Sequence, residues 1–592
     1  MVEKIQFVLL QYAQLAIFAA GCFGLGVWPI KYSKRLAAFD NVFSACLSTT
    51  LGMGIFILAL QLLGILGLLN QSCITTLLAI GYVGLLSNIV VGRRLAVAES
   101  TIAAASATSA PKSHWFFWGL LALIAIDVLF SPLHPPIDWD ETMYHLPHAR
   151  DWAANGKLTV NTWLRYPYFP FNFNLLYAAA LSYGNDILAQ MINALAGWLV
   201  AIGLYRLAAT YFNRAVAGIA ALLFIYLTLG QYGGATADLG QTLFLFFGFA
   251  CIFVWRETKS FGMLCVALFL IGIAAGIKYQ ALTYLPLLAV VVLLGERRPL
   301  RLLLLLVLFA LPCLYWYMRN YLLAGDPFDP MGARIFAYSD WNAADMAFQI
   351  ADIKRATDWP KVVVWPALGA LLLRSRLSYT PFRASLIFSI YAFVVWIFTS
   401  HYARYMMPAF PIIALLTAVV VNHVYATLTN GTNATTRITK SQFFIYTQNT
   451  LAALFLVLLS VAVIISSKKE WQTIQANDTD RSTFLKTQIK SFEISEFLRH
   501  HPEYKTVQID LESDMYYLPA NTIGDIFGPG RYNDFSRLST MELANRIKSL
   551  QANTLLLSTQ GVNSKKILER SDFLDYFAPI KKTTEAELYV LR

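Results

Sequence analysis

The sequence predicts an all-α polytopic membrane protein of about fourteen transmembrane helices, followed by a small C-terminal α/β domain outside the membrane. Three observations carry this. Of the 592 residues, 57% are hydrophobic and only 14% are charged, where a soluble protein carries about 25% charged residues. Apolar runs of about 20 residues recur along the chain, which is helix length and not barrel-strand length. The composition then turns polar and mixed at about residue 467. A mean hydropathy of +0.53 agrees with the first two points. Together they exclude a cytosolic enzyme, a disordered chain and a nucleic-acid binder.

Taken in order, candidate spans lie near 6–27, 43–69, 72–91, 115–132, 186–206, 214–231, 238–255, 261–276, 279–295, 302–322, 361–373, 383–399, 404–425 and 443–466. The pairs 261–276/279–295 and 361–373/383–399 are short or interrupted. The first span has a weak basic flank, and Ala19-Ala20-Gly21-Cys22 only loosely resembles a lipoprotein cleavage site, so the segment reads as a retained helix. All six Cys fall inside apolar runs without a CxxC pair and read as small buried hydrophobes. No internal repeat is visible.

The net charge of +11 reads as the positive-inside rule. One set of alternate connections is basic throughout: Lys31, Lys34 and Arg35; Arg93, Arg94 and Lys112; Arg206 and Arg214; Arg256 and Lys259; Arg297, Arg298 and Arg301; Arg374, Arg376 and Arg383; Arg437 and Lys440. These are expected in the cytoplasm. Both termini and the long loops 133–185 and 323–360 are then expected outside. Residues 427–441 form a Thr/Asn-rich cytoplasmic linker. Beyond 467, β-like runs (506–509, 554–557, 588–591) alternate with amphipathic helical stretches (483–500, 540–551), the pattern of a small α/β domain.

The first long outer loop carries the most chemistry. It reads Ile137-Asp138-Trp139-Asp140-Glu141-Thr142-Met143-Tyr144-His145, with three carboxylates in four residues at a membrane edge. Like charges this close repel. They call for a cation, a proton to transfer, or bulk water. One reading is a general base or metal-binding site; the other is a solvated acidic helix start, favoured by the helix dipole. Residues 141–155 then read as an interfacial helix. Trp163-Leu164-Arg165-Tyr166-Pro167-Tyr168-Phe169-Pro170 gives a Pro-broken aromatic stretch, suited to stacking on a sugar or to an ordinary interfacial belt.

Four charged residues near outer membrane edges form the next signal: Asp238, Lys278, Arg319 and Arg404. Each is costly there unless paired or wetted. Three cations and one anion on one face suit an anionic lipid headgroup, Arg gripping phosphate with two prongs and Lys as a point charge. Snorkelling to the interface is the alternative for each.

These motifs, in this order, resemble the polytopic GT-C glycosyltransferases, the group of the protein O-mannosyltransferases and the lipid A aminoarabinose transferase. The resemblance rests on Asp138-Trp139-Asp140-Glu141 with Tyr144-His145-Leu146-Pro147. It is extended by Gly276-Ile277-Lys278-Tyr279 with Pro286, by Trp316-Tyr317-Met318-Arg319-Asn320 leading to Gly325-Asp326-Pro327, and by Arg404-Tyr405-Met406-Met407-Pro408. It covers roughly 115–592 and divides the chain into additional N-terminal helices (1–114), a GT-C-like catalytic core (115–466) and the extracytoplasmic α/β domain (467–592). It implies inverting sugar transfer from a polyprenyl-phosphate donor at the outer face of a bacterial inner membrane. Asp140 with Glu141 matches the family's Asp-Glu pair, with Asp138 the alternative base. Lys278, Arg319 and Arg404 match positions that hold donor phosphate. Tyr144, His145 and Asp238 are candidate substrate contacts. A divalent cation at the acidic cluster stays open, without the His/Cys spacing that favours zinc. Residues 1–100 have no counterpart in the family. The run after Glu141 follows an uncharacterised bacterial branch, which leaves sugar and acceptor open. A lipid or solute transporter and a non-catalytic scaffold are the rival readings.

Overall fold

The computed structural model describes residues 1–32, 40–99, 124–336, 351, 355, 361–399, 402–430, 442–524 and 535–592. Long apolar helices dominate it. Among the described residues, eight are long and apolar enough to cross a membrane: Val2–Tyr32, Asn41–Leu66, Gln71–Val90, Asp186–Tyr211, Arg214–Gln231, Asp238–Thr258, Thr380–Thr399 and Ala403–Thr427. A ninth forms if the pair Pro299–Ala310 and Leu314–Ala324, bent by 64°, counts as one span. Ile124–Leu133, Phe261–Ala275 and Tyr279–Leu293 are shorter apolar helices.

Among the described residues, fewer than the fourteen expected spans are long single helices, for local reasons. The expected span 361–373 is a 3-10 helix, Val362–Leu372, with Pro366 inside it; a proline there removes an N–H and blocks a regular α-helix. The segment 279–295 starts as a 3-10 turn, Tyr279–Tyr284, and continues as the short helix Leu285–Leu293. The span 115–132 lies partly outside the described residues. The expected span 443–466 falls within the helix Gln442–Thr473. The linker 427–441 lies largely outside the described residues, as does most of the loop 323–360 beyond Phe336.

The first three helices pack on one another at backbone distance. A Cβ on Gly24 would run into the carbonyl of Gly81, and one on Gly52 into that of Cys22, so only glycine permits this approach. The second of them begins at an Asp40 cap, whose side chain accepts from Phe43 N, and ends at a left-handed Gly67. It packs against the helices Asp186–Tyr211 and Phe261–Ala275, so the N-terminal helices join the same apolar core.

The bend at 311–313 frees backbone carbonyls, because Pro312 interrupts the helix. The Pro312 carbonyl accepts from Asn172 Nδ2 at 2.9 Å and Gln61 Nε2 at 3.4 Å. A loop asparagine thus satisfies the break in a membrane helix.

The C-terminal domain is a four-stranded mixed sheet. β1 (Thr506–Ile509) runs parallel to β2 (Thr554–Ser558), β2 antiparallel to β4 (Ala586–Leu591), and β4 antiparallel to β3 (Phe577–Lys582), in the order β1-β2-β4-β3. The central strand β2 is buried throughout, β4 buries Ala586, Leu588 and Tyr589, and the helix Thr540–Ser549 covers the sheet from a Ser539–Glu542 capping box. Leu164 of the first long loop is 1% exposed and sits in this domain's core, beside Leu498, Leu518 and Leu588. The domain and the loop 133–185 therefore share one face of the molecule.

Candidate active site

The acidic run is folded around Glu141. The prolines 135 and 136 hold the entry extended, and the chain then turns so that Glu141 Oε1 accepts from the N–H groups of Ile137 and Asp138, both at 2.8 Å. Its Oε2 accepts from Ala235 N at 2.6 Å. Glu141 is fully buried. Burial first, and then the neighbouring Asp138 charge, push its carboxyl up to about 8, against the three N–H groups that favour the ionised form. This carboxyl fastens the loop to the segment 233–237. The fit is close, since a side chain on Gly234 would collide with the Asp138 carboxylate.

From Glu141 to His145 the backbone makes a single π-helical turn before the helix Leu146–Asn155. Such turns are rare and concentrate at functional sites. This one places Asp140 and Asp138 differently. Asp140 is 6% exposed, and its Oδ2 lies 2.5 Å from Arg404 Nη1. Asp138 is exposed; burial of its carboxyl edge and the Asp140 charge hold its pKa above the usual carboxylate value.

The second carboxylate–cation pair is Asp238 with Lys278, at 2.8 Å. Asp238 begins a long apolar helix, and Lys278 follows the break after Phe261–Ala275. Gln241 Nε2 donates to the Lys278 carbonyl at 3.2 Å and fixes that break. Arg404 is within electrostatic reach of Asp238 as well as Asp140. The two pairs thus form one alternating cluster. The Arg404 guanidinium also lies beside the rings of Tyr402 and Tyr405, 5.9 and 5.7 Å from their centroids.

Tyr144 and His145 border the cluster. His145 is buried; burial, and then the Lys278 charge, hold its imidazole down to about 3, so it is neutral at physiological pH. Its Nδ1 lies 3.0 Å from Asn174 Oδ1, and Asn174 Nδ2 donates to the His145 carbonyl at 3.0 Å. Tyr144 makes an edge contact with Tyr166, which stacks on Phe169, which meets Tyr279. The Pro-broken aromatic stretch therefore supplies an aromatic wall beside the carboxylates. Trp139 carries Arg165 over its ring at 5.0 Å.

Arg319, the third cation expected at the donor phosphate, is held by amide and carbonyl oxygens and not by a carboxylate. It is 7% exposed and bound within the chain. Its Nε donates to Asn320 Oδ1 at 3.1 Å, and its Nη2 to the carbonyls of Phe169 (3.1 Å) and Pro167 (3.3 Å). It also lies over Trp316, whose indole N–H donates to Asn172 Oδ1 at 2.7 Å. The guanidinium braces loop carbonyls beside Pro167 and Pro170 through its Nη2.

Sequence reasoning missed four contributors. Asn172 and Asn174 were readable as buried amides in Phe171-Asn172-Phe173-Asn174. Gly234 and Ala235 gave no side-chain signal, because they act through backbone. Among the described residues, no group of three His, Cys, Asp or Glu is arranged to hold a metal ion. A cavity of about 620 Å³ lies elsewhere, between Tyr211, Phe253, Leu288 and Pro381, with Arg256 and Arg383 at its edge, and contains none of this chemistry.

Known proteins now give the geometry a context. The chain is 37% identical over 142 residues to the uncharacterized protein SF2093/S2215 of Shigella flexneri, covering 70% of that protein and 23% of this chain. The chain belongs to the SF2093/S2215 family. A second Shigella flexneri protein, SF2092/S2214, is 27% identical over 121 residues, 64% of its length and 18% of this chain. A family model described as SF2091/S2213 matches residues 480–590, within the C-terminal domain. Among solved structures, ArnT from Cupriavidus metallidurans, bound to undecaprenyl phosphate, superposes with a TM-score of 0.51 at 11% identity, covering 81% of this chain and 98% of ArnT. An Archaeoglobus fulgidus oligosaccharyltransferase gives a TM-score of 0.43 at 14% identity, over 76% of this chain and 69% of its own. This member of the SF2093/S2215 family has the GT-C fold: a bundle of apolar membrane helices with a small C-terminal sheet domain.

Proposed function

We propose that this protein is an extracytoplasmic membrane glycosyltransferase that moves a sugar from a polyprenyl-phosphate donor to a lipid, glycan or protein acceptor, with inversion. The observation that supports it is the alternating cluster Asp140–Arg404 and Asp238–Lys278 beside the acidic turn. The undecaprenyl phosphate held by ArnT, a protein of the same fold, suggests the donor class.

In this reading the acceptor hydroxyl approaches from the loop side. Asp140 takes its proton or orients it, and the exposed Asp138 is the alternative base. Arg404 and Lys278 face the leaving phosphate and neutralise the charge that develops as the glycosidic bond breaks, without reorganising at that moment. One displacement by the acceptor oxygen inverts the anomeric carbon, and the polyprenyl phosphate departs. Glu141 orients the loop. Tyr144, His145 and the aromatic wall border the sugar.

The test is transfer of labelled sugar from a polyprenyl-phosphate donor in membranes, at matched protein levels. Asp140→Asn keeps the shape but cannot accept a proton, and is expected to lose about 100- to 10,000-fold in rate. Asp138→Asn is expected to lose less. The reverse ranking reassigns the base; normal transfer by both variants sinks the catalytic role of the loop.

A further inference from the structure

Pro147 leaves a carbonyl of the acidic turn without a helical partner. In the π-helical turn the Leu146 N–H returns to the Glu141 carbonyl. The next bond in that register would run from residue 147 to the Thr142 carbonyl, and proline has no N–H to give. The C-terminal domain supplies the missing donor: Tyr516 N–H lies 2.8 Å from the Thr142 carbonyl. On the other side of the acidic run, the Pro136 carbonyl accepts from the Tyr517 hydroxyl at 2.6 Å. Asp138, Asp140 and Glu141 lie between these two tethers.

The same stretch of the domain is gripped from below. Arg150, on the helix Leu146–Asn155, points Nη1 at the carbonyls of Tyr516 and Leu518, both at 2.8 Å, and of Met515 at 3.3 Å. The Tyr516 hydroxyl donates to Asp186 at 3.2 Å, and Arg481 pairs with the same carboxylate. Leu164 closes the seam from within the domain core.

We propose that the segment Met515–Leu518 of the C-terminal domain fixes the position of the acidic turn, with Arg150 and Tyr517 as positioning residues for the sugar-transfer reaction. The inference rests on the glycosyltransferase reading for its catalytic consequence. The restraint itself rests on the contacts alone. A misplacement of about 1 Å in a reacting group can cost on the order of 100-fold in rate. Freeing the turn therefore lowers kcat and leaves the donor KM, which depends on Arg404 and Lys278, near its original value.

The experiment combines two readouts on the full-length protein in lipid nanodiscs. Hydrogen–deuterium exchange is followed for peptides covering 137–146 and, as reference, the helix Asp238–Thr258. Labelled sugar transfer is measured on the same preparations. Tyr517→Phe removes one hydroxyl and little else; Arg150→Ala removes the grip, and Arg150→Lys restores part of it. Faster exchange confined to 137–146, with kcat down about 10- to 100-fold in Arg150→Ala and partial rescue by Arg150→Lys, supports the proposal. Unchanged protection of 137–146 in both Tyr517→Phe and Arg150→Ala overturns it, as does faster exchange with normal kcat. Wild-type protein that transfers no sugar contradicts the glycosyltransferase reading instead, while the exchange data alone still decide whether the segment holds the turn.

Discussion

Arg404 and Arg319 look alike in the sequence, each beside aromatic residues at the same membrane face, yet they end in different company. Arg404 meets carboxylates and is half-buried. Arg319 meets backbone carbonyls and is 7% exposed. A cation that pairs with acid and stays reachable can exchange partners with an incoming phosphate. A cation that satisfies carbonyls beside prolines holds the structure together. The residue type is the same; the partners differ.

The largest effect that would sharpen this contrast is at Arg404. Arg404→Gln leaves Asp140 and Asp238 short of a counter-charge and removes the cation that the proposed mechanism sets against the leaving phosphate. Sugar transfer is expected to fall about 100- to 1,000-fold, as for other preorganised electrostatic groups. Arg319→Gln should act on folding instead. It strands the Pro167 and Phe169 carbonyls and costs about 1–3 kcal/mol per lost partner. A lower Tm in detergent, with near-normal rate per folded molecule, is the expected pair of results. A large rate loss at unchanged Tm would break the contrast.

The acidic turn gives the next effect. Glu141→Gln presents an amide NH2 to one of the three N–H groups that the carboxylate accepts, at a cost of about 1–3 kcal/mol. Glu141 also makes stability depend on pH. Its folded pKa, about 8, is raised above the ordinary 4.5, so its contribution is fully present below about 4.5 and is lost as pH rises toward 8. The wild-type Tm should decline across that window more steeply than the Tm of Glu141→Gln; parallel slopes would remove Glu141 as the cause. The smallest effect is in the rate profile. The raised Asp138 carboxyl should place an inflection of the acid limb above the ordinary carboxylate value, and Asp138→Asn should move it. His145, neutral down to about 3, should add no inflection near 6.5.

Much of this was legible in the sequence. Apolar run length gave the membrane helices, and the polar, mixed composition after the last of them gave the small sheet region. The charged residues at helix ends singled out Asp140, Asp238, Lys278 and Arg404 as candidates, and the structure pairs Asp140 with Arg404 and Asp238 with Lys278. What stayed hidden depends on contacts between distant residues. Nothing near Arg319 in the chain announces the Pro167 and Phe169 carbonyls about 150 residues away. Ala235 holds Glu141 through an N–H that any residue but proline carries. Pro312 and Pro366 shortened expected spans because hydropathy registers apolar character and not the missing N–H. The role of Tyr516 follows from Pro147, but only once the register of the turn is known.

The central proposal is that donor phosphate is held by Arg404 with Lys278 more than by Arg319. The most direct measurement is binding of a polyprenyl phosphate to the purified protein in nanodiscs, comparing wild type, Arg404→Gln and Arg319→Gln at matched folded fraction. At about 1.4 kcal/mol per factor of ten, loss of one charge-assisted contact worth about 1.5–3 kcal/mol predicts at least tenfold weaker binding for Arg404→Gln and near wild-type binding for Arg319→Gln. Weakened binding in Arg319→Gln, with Arg404→Gln unaffected, would contradict the account.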